Sequence, residues 1–268
     1  KYVDAVYPFS FNTETQPHVL SISLNTPISD VSDPNGVSSD DTSIFRRRDG
    51  PITPSLYYNA LEKELEESIA IYAGVFKPGN DDDLEAWNDA IYVHPNWAGE
   101  NNRLYTYDEA YNQKNYNVYS CPDVVAYDAE NKTLHTFLLG GIGDGNKKGK
   151  EKRLSGFTNT GIHIQLNVDE SPLKSTNVVF SQNLFSDSET NKQPFYGAEA
   201  IFFQNDSATT IQQTKEIIDM KALFEKGNKV DVGYVFGGIE SFKSHPGTYG
   251  PKFSRASTKI WKVTLVKE

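Results

Sequence analysis

Residues 232–239 have the sequence VGYVFGGI, a run of apolar residues that ends in two glycines. Two other stretches have the same character, LHTFLLGGI at 134–142 and IAIYAGVF at 69–76. Continuous apolarity of this length is typical of a strand that is buried on both faces. The small residues near the end permit backbone conformations or close approaches that a Cβ atom would obstruct.

Each of these runs lies between two further candidate strands. The preceding strands are predicted at 55–59, 123–128 and 198–204, and the following strands at 89–93, 161–168 and 259–266. In 161–168, Ile162, Ile164 and Leu166 alternate with polar residues, as a strand with unlike faces requires. The order of strand, buried strand, loop and amphipathic strand thus occurs three times, and long polar loops explain the irregular spacing of this internal repeat.

Other segments are less regular. Residues 18–24 form a further candidate strand, and 29–43 form a polar loop. The segment 59–68 could be helical, because Leu61 and Leu65 are four residues apart. The segment 214–226 fits a helix and a strand followed by a turn equally well.

The composition favours an all-β fold and disfavours several functions. Aromatic residues make up 12% of the 268 residues, with one Met against 15 Tyr and 15 Phe, a bias that suits pleated sheets. The formal net charge of −10 disfavours binding to nucleic acids. No stretch approaches the run of about 18 apolar residues that a membrane span needs. The single Cys121 excludes an intramolecular disulfide.

A series of motifs resembles the blades of kelch-type β-propellers. In chain order they are FRRRD at 45–49, AGVF at 73–76, LLGGI at 138–142, FTN at 157–159, YGAEA at 196–200, GYVFGGI at 233–239 and the closing KIWKVTLV. More narrowly, the chain is similar over about residues 45–266 to a group of uncharacterised bacterial kelch-like proteins. That group has no established catalytic residues, so the resemblance assigns no role to any residue of this chain.

The resemblance implies an all-β, kelch-like β-propeller of about four to five blades, or the C-terminal part of a larger propeller, because members of the group have further blades upstream. We predict one domain over 1–268, with a partial blade and loop at 1–44 and three repeat units at 45–268. A propeller closes around an axis, and an incomplete ring would expose apolar blade faces to water. Either the N-terminal 45 residues complete a small propeller, or a second chain supplies the missing blades.

Three charged residues are candidates for ligand binding. Arg46 and Arg48 belong to the densest positive charge in an acidic chain and could hold a carboxylate or phosphate. Alternate arginines of an extended segment could instead pair with acidic residues between blades, and we favour this structural role. Glu199, in an otherwise apolar segment, is either the buried partner of such an arginine or a ligand-facing group near the axis.

Aromatic side chains with polar tips are concentrated between positions 57 and 119. Among them, Trp97, Tyr105 and Tyr107 are our candidates for contact with a ligand. Such rings suit sugars or protein surfaces, and the same rings also build the cores of blades.

The sequence contains no specific catalytic motif. It lacks the G-x-S-x-G nucleophile turn, and the glycine-rich segment 140–148 does not have the spacing of a phosphate-binding loop. The acidic residues 81–83 could hold a calcium ion, although a solvated loop is the default interpretation. A polysaccharide-active enzyme would need two carboxylates about 5 to 10 Å apart in a cleft, and Glu199, Asp144 and Glu240 are the candidates.

The sequence therefore favours a non-catalytic binding or assembly module, extracellular or at the cell surface, that presents propeller loops to a glycan or protein ligand. No cofactor is expected, and calcium at the acidic loop is the one alternative left open. One alternative is a polysaccharide-active hydrolase or oxidase on a propeller scaffold. The other is a subunit whose propeller is completed by a second chain or by homo-oligomerisation.

Overall fold

The computed structural model describes residues 4–12, 21–31, 43–78, 84–94, 104–111, 118–143, 156–181, 183–185, 194–245 and 250–267. Within these ranges the chain consists mainly of β-strands, so the predicted all-β class is confirmed. Most of the strands belong to three sheets, which we number in chain order.

A short hairpin precedes the sheets. It consists of β1 (Phe9–Asn12) and β2 (Ser21–Leu24), which pair antiparallel. The strand β2 falls in the predicted strand 18–24, whose first three residues lie outside the described ranges.

The first sheet has four antiparallel strands. In spatial order they are β3 (Ile52–Asn59), β4 (Glu64–Tyr72), β7 (Ala90–Val93) and β8 (Tyr105–Asp108). Between β4 and β7 the chain forms a small hairpin of β5 (Val75–Pro78) and β6 (Leu84–Ala86).

The possible helix at 59–68 is wrong, because this segment turns between β3 and β4. Glu66 lies in β4, where its carboxylate accepts hydrogen bonds from Tyr57 Oη (2.6 Å) and from Asn59 Nδ2 on the neighbouring strand. These cross-strand bonds stabilise the strand pair and outweigh the weak helix preference of leucine and glutamate.

The second sheet has six strands. They are β9 (Val118–Tyr119), β10 (Asp123–Asp128), β11 (Thr133–Gly143), β12 (Gly156–Asn167), β13 (Ser175–Ser181) and β15 (Ile218–Asp219). The strands β10 to β13 form an antiparallel meander, β9 pairs with the end of β11, and β15 pairs parallel with β10. In β12, Ile162, Ile164 and Leu166 are buried while Gln165 is exposed, so the predicted alternation is confirmed.

The third sheet has three antiparallel strands. In spatial order they are β14 (Ala200–Gln204), β16 (Lys229–Gly237) and β19 (Ile260–Val266). The helix α1 (Met220–Phe224) follows β15 directly, so the segment 214–226 combines a short strand with a short helix. After β16 come β17 (Ile239–Ser241), helix α2 (Gly250–Phe253) and β18 (Ser254–Ala256), and β17 pairs with β18.

Apolar side chains fill the space between successive sheets. Tyr72 of the first sheet and Leu138 of the second belong to one core cluster, and Leu139 of the second sheet and Val235 of the third belong to another. A third cluster joins the other face of the first sheet to Phe45 and its neighbours in the N-terminal part of the chain. The sheets therefore stack face to face in chain order, with N-terminal residues covering the first.

Glycines lie near the ends of the long middle strands because the backbone there is left-handed and crowded. Gly141 has φ of +100°, and a Cβ at this position would lie 2.5 Å from the carbonyl oxygen of Tyr119. Gly238 has φ of +71°, and a Cβ there would lie 2.4 Å from the carbonyl oxygen of Ala198. The role predicted for the terminal glycines is confirmed at both positions.

One buried histidine gives the fold a pH dependence. His94 follows β7, is 1% exposed, and has a pKa that burial lowers to about 4. The folded chain thus keeps His94 neutral, while the unfolded chain takes up a proton below about pH 6.5. The contribution of His94 to stability is complete above about pH 6.5 and falls by about 3 kcal/mol as the pH drops to 4, at 1.36 kcal/mol per pKa unit.

This prediction is checked by urea denaturation of the wild type and of His94→Gln between pH 7 and pH 4. The variant should lose less free energy of unfolding over this interval, by up to about 3 kcal/mol. The comparison is needed because burial raises the pKa of Asp123 to about 7, which acts in the opposite sense over the same interval. Equal losses in the two proteins would contradict the assignment to His94.

Candidate interaction surface

The charged candidates from the sequence lie in different surroundings. Arg46 is half-buried, and its carbonyl oxygen accepts a hydrogen bond from Trp87 Nε1 (3.0 Å). Arg48 is exposed, with its Nε 3.4 Å from the Asp49 carboxylate, an arrangement that contributes little to stability. Glu199 is exposed and has φ of +57°, so its interpretation as the buried partner of an arginine is wrong.

The middle arginine, Arg47, forms the buried ion pair that sequence reasoning missed. Its side chain is 3% exposed, and its guanidinium binds the Asp89 carboxylate and donates to the carbonyl oxygens of Asp89 (3.0 Å) and Ala73 (3.1 Å). It also lies 4.4 Å from the centroid of the Trp87 ring. The Arg47 N–H donates to the carbonyl oxygen of Phe45 (2.7 Å), so the chain turns here and is not an extended segment.

The aromatic candidates of β8 take part in packing. Tyr105 meets the ring of Phe45 edge to face, with 5.2 Å between centroids. Tyr107 Oη donates to Asp89 Oδ2 (2.6 Å) and so extends the Arg47 cluster. Trp97 lies outside the described residues.

The candidate carboxylates differ in their surroundings. Glu240 is buried and pairs with Arg255 Nε (3.1 Å) and Lys259 Nζ (3.4 Å), which suits a structural role. Asp144 lies outside the described residues, as does most of the acidic loop around 81–83. Among the residues that are described, no group of three or more His, Cys, Asp or Glu side chains could hold a metal ion.

The third sheet carries an apolar face that nothing in the described chain covers. Its side chains are 42–69% exposed and are those of Ile201, Phe203, Tyr234, Phe236 and Ile260. Strand pairing places Phe236 between Ile201 and Ile260, with Phe203 opposite Tyr234. We call these five residues the outer face. A contiguous patch of large apolar side chains is typical of an interaction surface.

The internal repeat identifies the residues of the first two sheets that are equivalent to Phe236 of the outer face. In the three apolar runs, the residue two positions before the last glycine is Tyr72, Leu139 and Phe236, respectively. Tyr72 is buried against the second sheet and Leu139 against the third, whereas Phe236 is exposed. In the first two sheets this register position is covered by the following sheet. The expectation that 232–239 is buried on both faces is therefore wrong for the described chain, in which one face is open.

A second apolar surface lies at the other end of the stack. Phe9, Phe11 and Leu24 of the β1–β2 hairpin are all more than half exposed, and we call them the hairpin surface. The hairpin continues into Val6 and Ile28, which bridge to each other and pack in the cluster on the first sheet. Both ends of the stack of sheets therefore expose apolar side chains.

Comparisons of the chain with models of protein families, with curated proteins and with solved structures found no match. None of the helices in the described ranges is long and apolar enough to cross a lipid bilayer.

Proposed function

We propose that the chain is a non-catalytic assembly module, a segment of a kelch-like β-propeller whose ring is completed by a second copy of the same chain. The outer face of the third sheet carries this proposal. It is apolar, contiguous and exposed. The residues that correspond to Phe236 in the first two sheets, Tyr72 and Leu139, are each buried by the following sheet.

The relative positions of the three sheets support a radial order. The first strands β3, β10 and β14 lie beside one another, with β10 in the middle. Successive sheets pack face to face outward from these strands. Sheets that stack in this way with their first strands together suit the blades of a propeller, with the axis beside β3, β10 and β14.

A second copy is the occupant that the two exposed surfaces favour. Because the outer face and the hairpin surface both remain exposed, neither covers the other within one chain. In a pair of chains related by a two-fold axis, the outer face of each can meet the hairpin surface of the other. Two chains contribute three sheets and one hairpin each, which is within the range of about four to eight blades found in propellers.

We further propose that the loops of such a ring bind a glycan or a protein ligand. The long loops that would present it, at 144–150 and 186–193, lie outside the described residues. A secreted or cell-surface location likewise stays a prediction from the sequence, as does the alternative of a polysaccharide-active enzyme.

The substitution Phe236→Glu tests the proposed dimer. Phe236 lies at the centre of the outer face, 4.7 Å from the ring of Phe203. Losing a central aromatic side chain typically costs at least about 2 kcal/mol, about 30-fold in Kd, and an added carboxylate costs more. We expect light scattering to give twice the mass of one chain for the wild type and the mass of one chain for the variant.

Leu61→Glu is the matched control, because Leu61 is 67% exposed at the β3–β4 turn and receives the same charge. This variant should remain dimeric. A wild-type protein that stays monomeric at every concentration tested, or a Phe236→Glu variant that stays dimeric, would contradict the proposed assembly.

A further inference from the structure

Among the described residues, the third sheet has no counterpart of the outer strand that the other two sheets have. In the first sheet β8 pairs with the outer edge of β7, and in the second β13 pairs with the outer edge of β12. The corresponding strand of the third sheet is β19, and no strand of the described chain pairs with its outer edge. Such an edge offers a row of backbone N–H and C=O groups to another chain.

A groove of about 1120 Å³ runs along this edge. On one side it is lined by every residue from 261 to 267, which include residues of both faces of β19, so the strand edge itself forms this wall. On the other side the second sheet contributes Phe137, His163 and Phe180. We call this space the edge groove, and no strand of the described ranges lies in it.

The backbone polar groups of β19 point alternately toward β16 and toward the edge groove. The N–H of Lys267 donates to the carbonyl oxygen of Asn228 (2.9 Å), next to β16. Because successive residues of an antiparallel strand direct their polar groups to opposite sides, Thr264 and Val266 direct theirs away from β16 and toward the edge groove.

The opposite wall carries a group of aromatic rings beside polar side chains such as Asp128 and Gln165. The ring of His163 stacks on Phe137, with 4.4 Å between centroids, and its Nε2 lies 2.9 Å from His135 Nδ1. Strand pairing of β11 with β12 creates this pair, which sequence reasoning missed because the two histidines are 28 positions apart. Phe180 of β13 is 45% exposed beside them.

We propose that the edge groove binds an extended peptide segment of a partner protein, which adds to β19 as the fourth, antiparallel strand of the third sheet. Main-chain hydrogen bonds to β19 provide the affinity, and every second side chain of the peptide packs on Phe137, His163 and Phe180. A peptide fits this site better than a glycan does, because the edge presents donors and acceptors at the spacing of a β-strand. The seven residues of β19 span about 23 Å at roughly 3.3 Å each, so the segment bound is six or seven residues long.

The test selects peptides from a phage-displayed library of random dodecamers on the whole chain. Selected peptides are then synthesised and their Kd values measured with the wild type and with Thr264→Pro, which removes the outward N–H. Proline is tolerated at an edge position of this kind. We expect sequences with alternating apolar residues, and binding to Thr264→Pro weaker by about 30-fold or more, which corresponds to about 2 kcal/mol.

Thr264→Val is the matched control. Both variants lose the hydrogen bond from Thr264 Oγ1 to Asp231 (2.6 Å), but valine keeps the backbone N–H. The valine variant should bind within about twofold of the wild type. Phe180→Ala, on the opposite wall, should weaken peptide binding about tenfold. This variant replaces Thr264→Pro as the test of the site if the proline variant does not fold.

Hydrogen exchange adds a direct measurement on the wild type. The amides of Thr264 and Val266 should exchange fast in the free chain and slowly with peptide bound, while that of Lys267 stays slow throughout. The proposal fails if no alternating peptide is selected, if selected peptides bind Thr264→Pro and Thr264→Val equally, or if these amides are already protected in the free chain. Binding of oligosaccharides on a glycan array that Phe180→Ala abolishes and Thr264→Pro leaves unchanged would also overturn it.

This inference is independent of the proposed dimer, because the outer face and the wall that faces the second sheet lie on opposite sides of the third sheet. The monomeric Phe236→Glu variant should bind the selected peptides as the wild type does. Failure of the dimer and failure of the peptide site are thus measured separately.

Discussion

Asp89→Ala is expected to lower the free energy of unfolding by about 3–5 kcal/mol, the cost of leaving a buried charge without its partner. The Arg47 guanidinium is enclosed by the Asp89 carboxylate, two backbone carbonyl groups and the Trp87 ring. Asp89 Oδ2 also accepts a hydrogen bond from the hydroxyl of Tyr107 (2.6 Å). The substitution therefore removes both carboxylate oxygens that accept hydrogen bonds in this cluster. Urea denaturation monitored by tryptophan fluorescence measures the loss.

Asp169→Ala is the matched control for this prediction. Asp169 pairs with Lys132, but the two side chains are 30% and 59% exposed, and such surface pairs contribute about 0–1 kcal/mol. The double variant Arg47→Met with Asp89→Leu should lose less than Asp89→Ala, because it removes both charges. If Asp89→Ala costs no more than Asp169→Ala, the Arg47–Asp89 ion pair does not stabilise the fold as a buried pair should.

Gly140→Ala is the second substitution with a large expected effect. Gly140 has φ of +69°, and a Cβ there would lie 2.2 Å from the carbonyl oxygen of Tyr196 and 2.7 Å from the ring of Phe185. The left-handed backbone costs an alanine about 1–2 kcal/mol, and the overlap between the second and third sheets adds about 1–3 kcal/mol or more. We expect a total loss of about 2–5 kcal/mol in the free energy of unfolding.

Gly237→Ala separates the two causes. Gly237 has nearly the same φ, +74°, but no atom lies within 4 Å of the position that a Cβ would take there. Its substitution should therefore cost only the backbone term of about 1–2 kcal/mol. Equal losses for Gly140→Ala and Gly237→Ala would show that close approach of the neighbouring backbone is not what requires glycine at position 140.

Much of the strand order could be predicted from the sequence. The bounds of β10 and β19 agree with the predicted strands, because turn residues delimit both and β19 also alternates. The first part of β4 was missed, although strands were predicted at 55–59 and 69–76. It consists of charged residues whose partners, such as Tyr57 for Glu66, lie on the neighbouring strand. Local propensity does not contain that information.

The residues of the candidate sites were harder to predict than the strands, because their surroundings are set by tertiary structure. The choice of Arg46 and Arg48 assumed an extended chain, and the turn at this point buries Arg47 instead. The pair of His135 and His163 exists only through the register of β11 and β12. The outer face did leave a signal, because the unbroken apolar run at 232–239 indicates burial on both sides, and the described chain provides only one of them.

The parallel pairing of β15 with β10 has a mechanical consequence. After β14 the chain leaves the third sheet, places Ile218 beside Ala126 of the second, and returns to the third as β16. A tensile load on β19 is thus transmitted to the second sheet through the hydrogen bonds between β15 and β10 as well as through side-chain contacts between the two sheets. These two sheets should yield together under force, as one unit and not in succession.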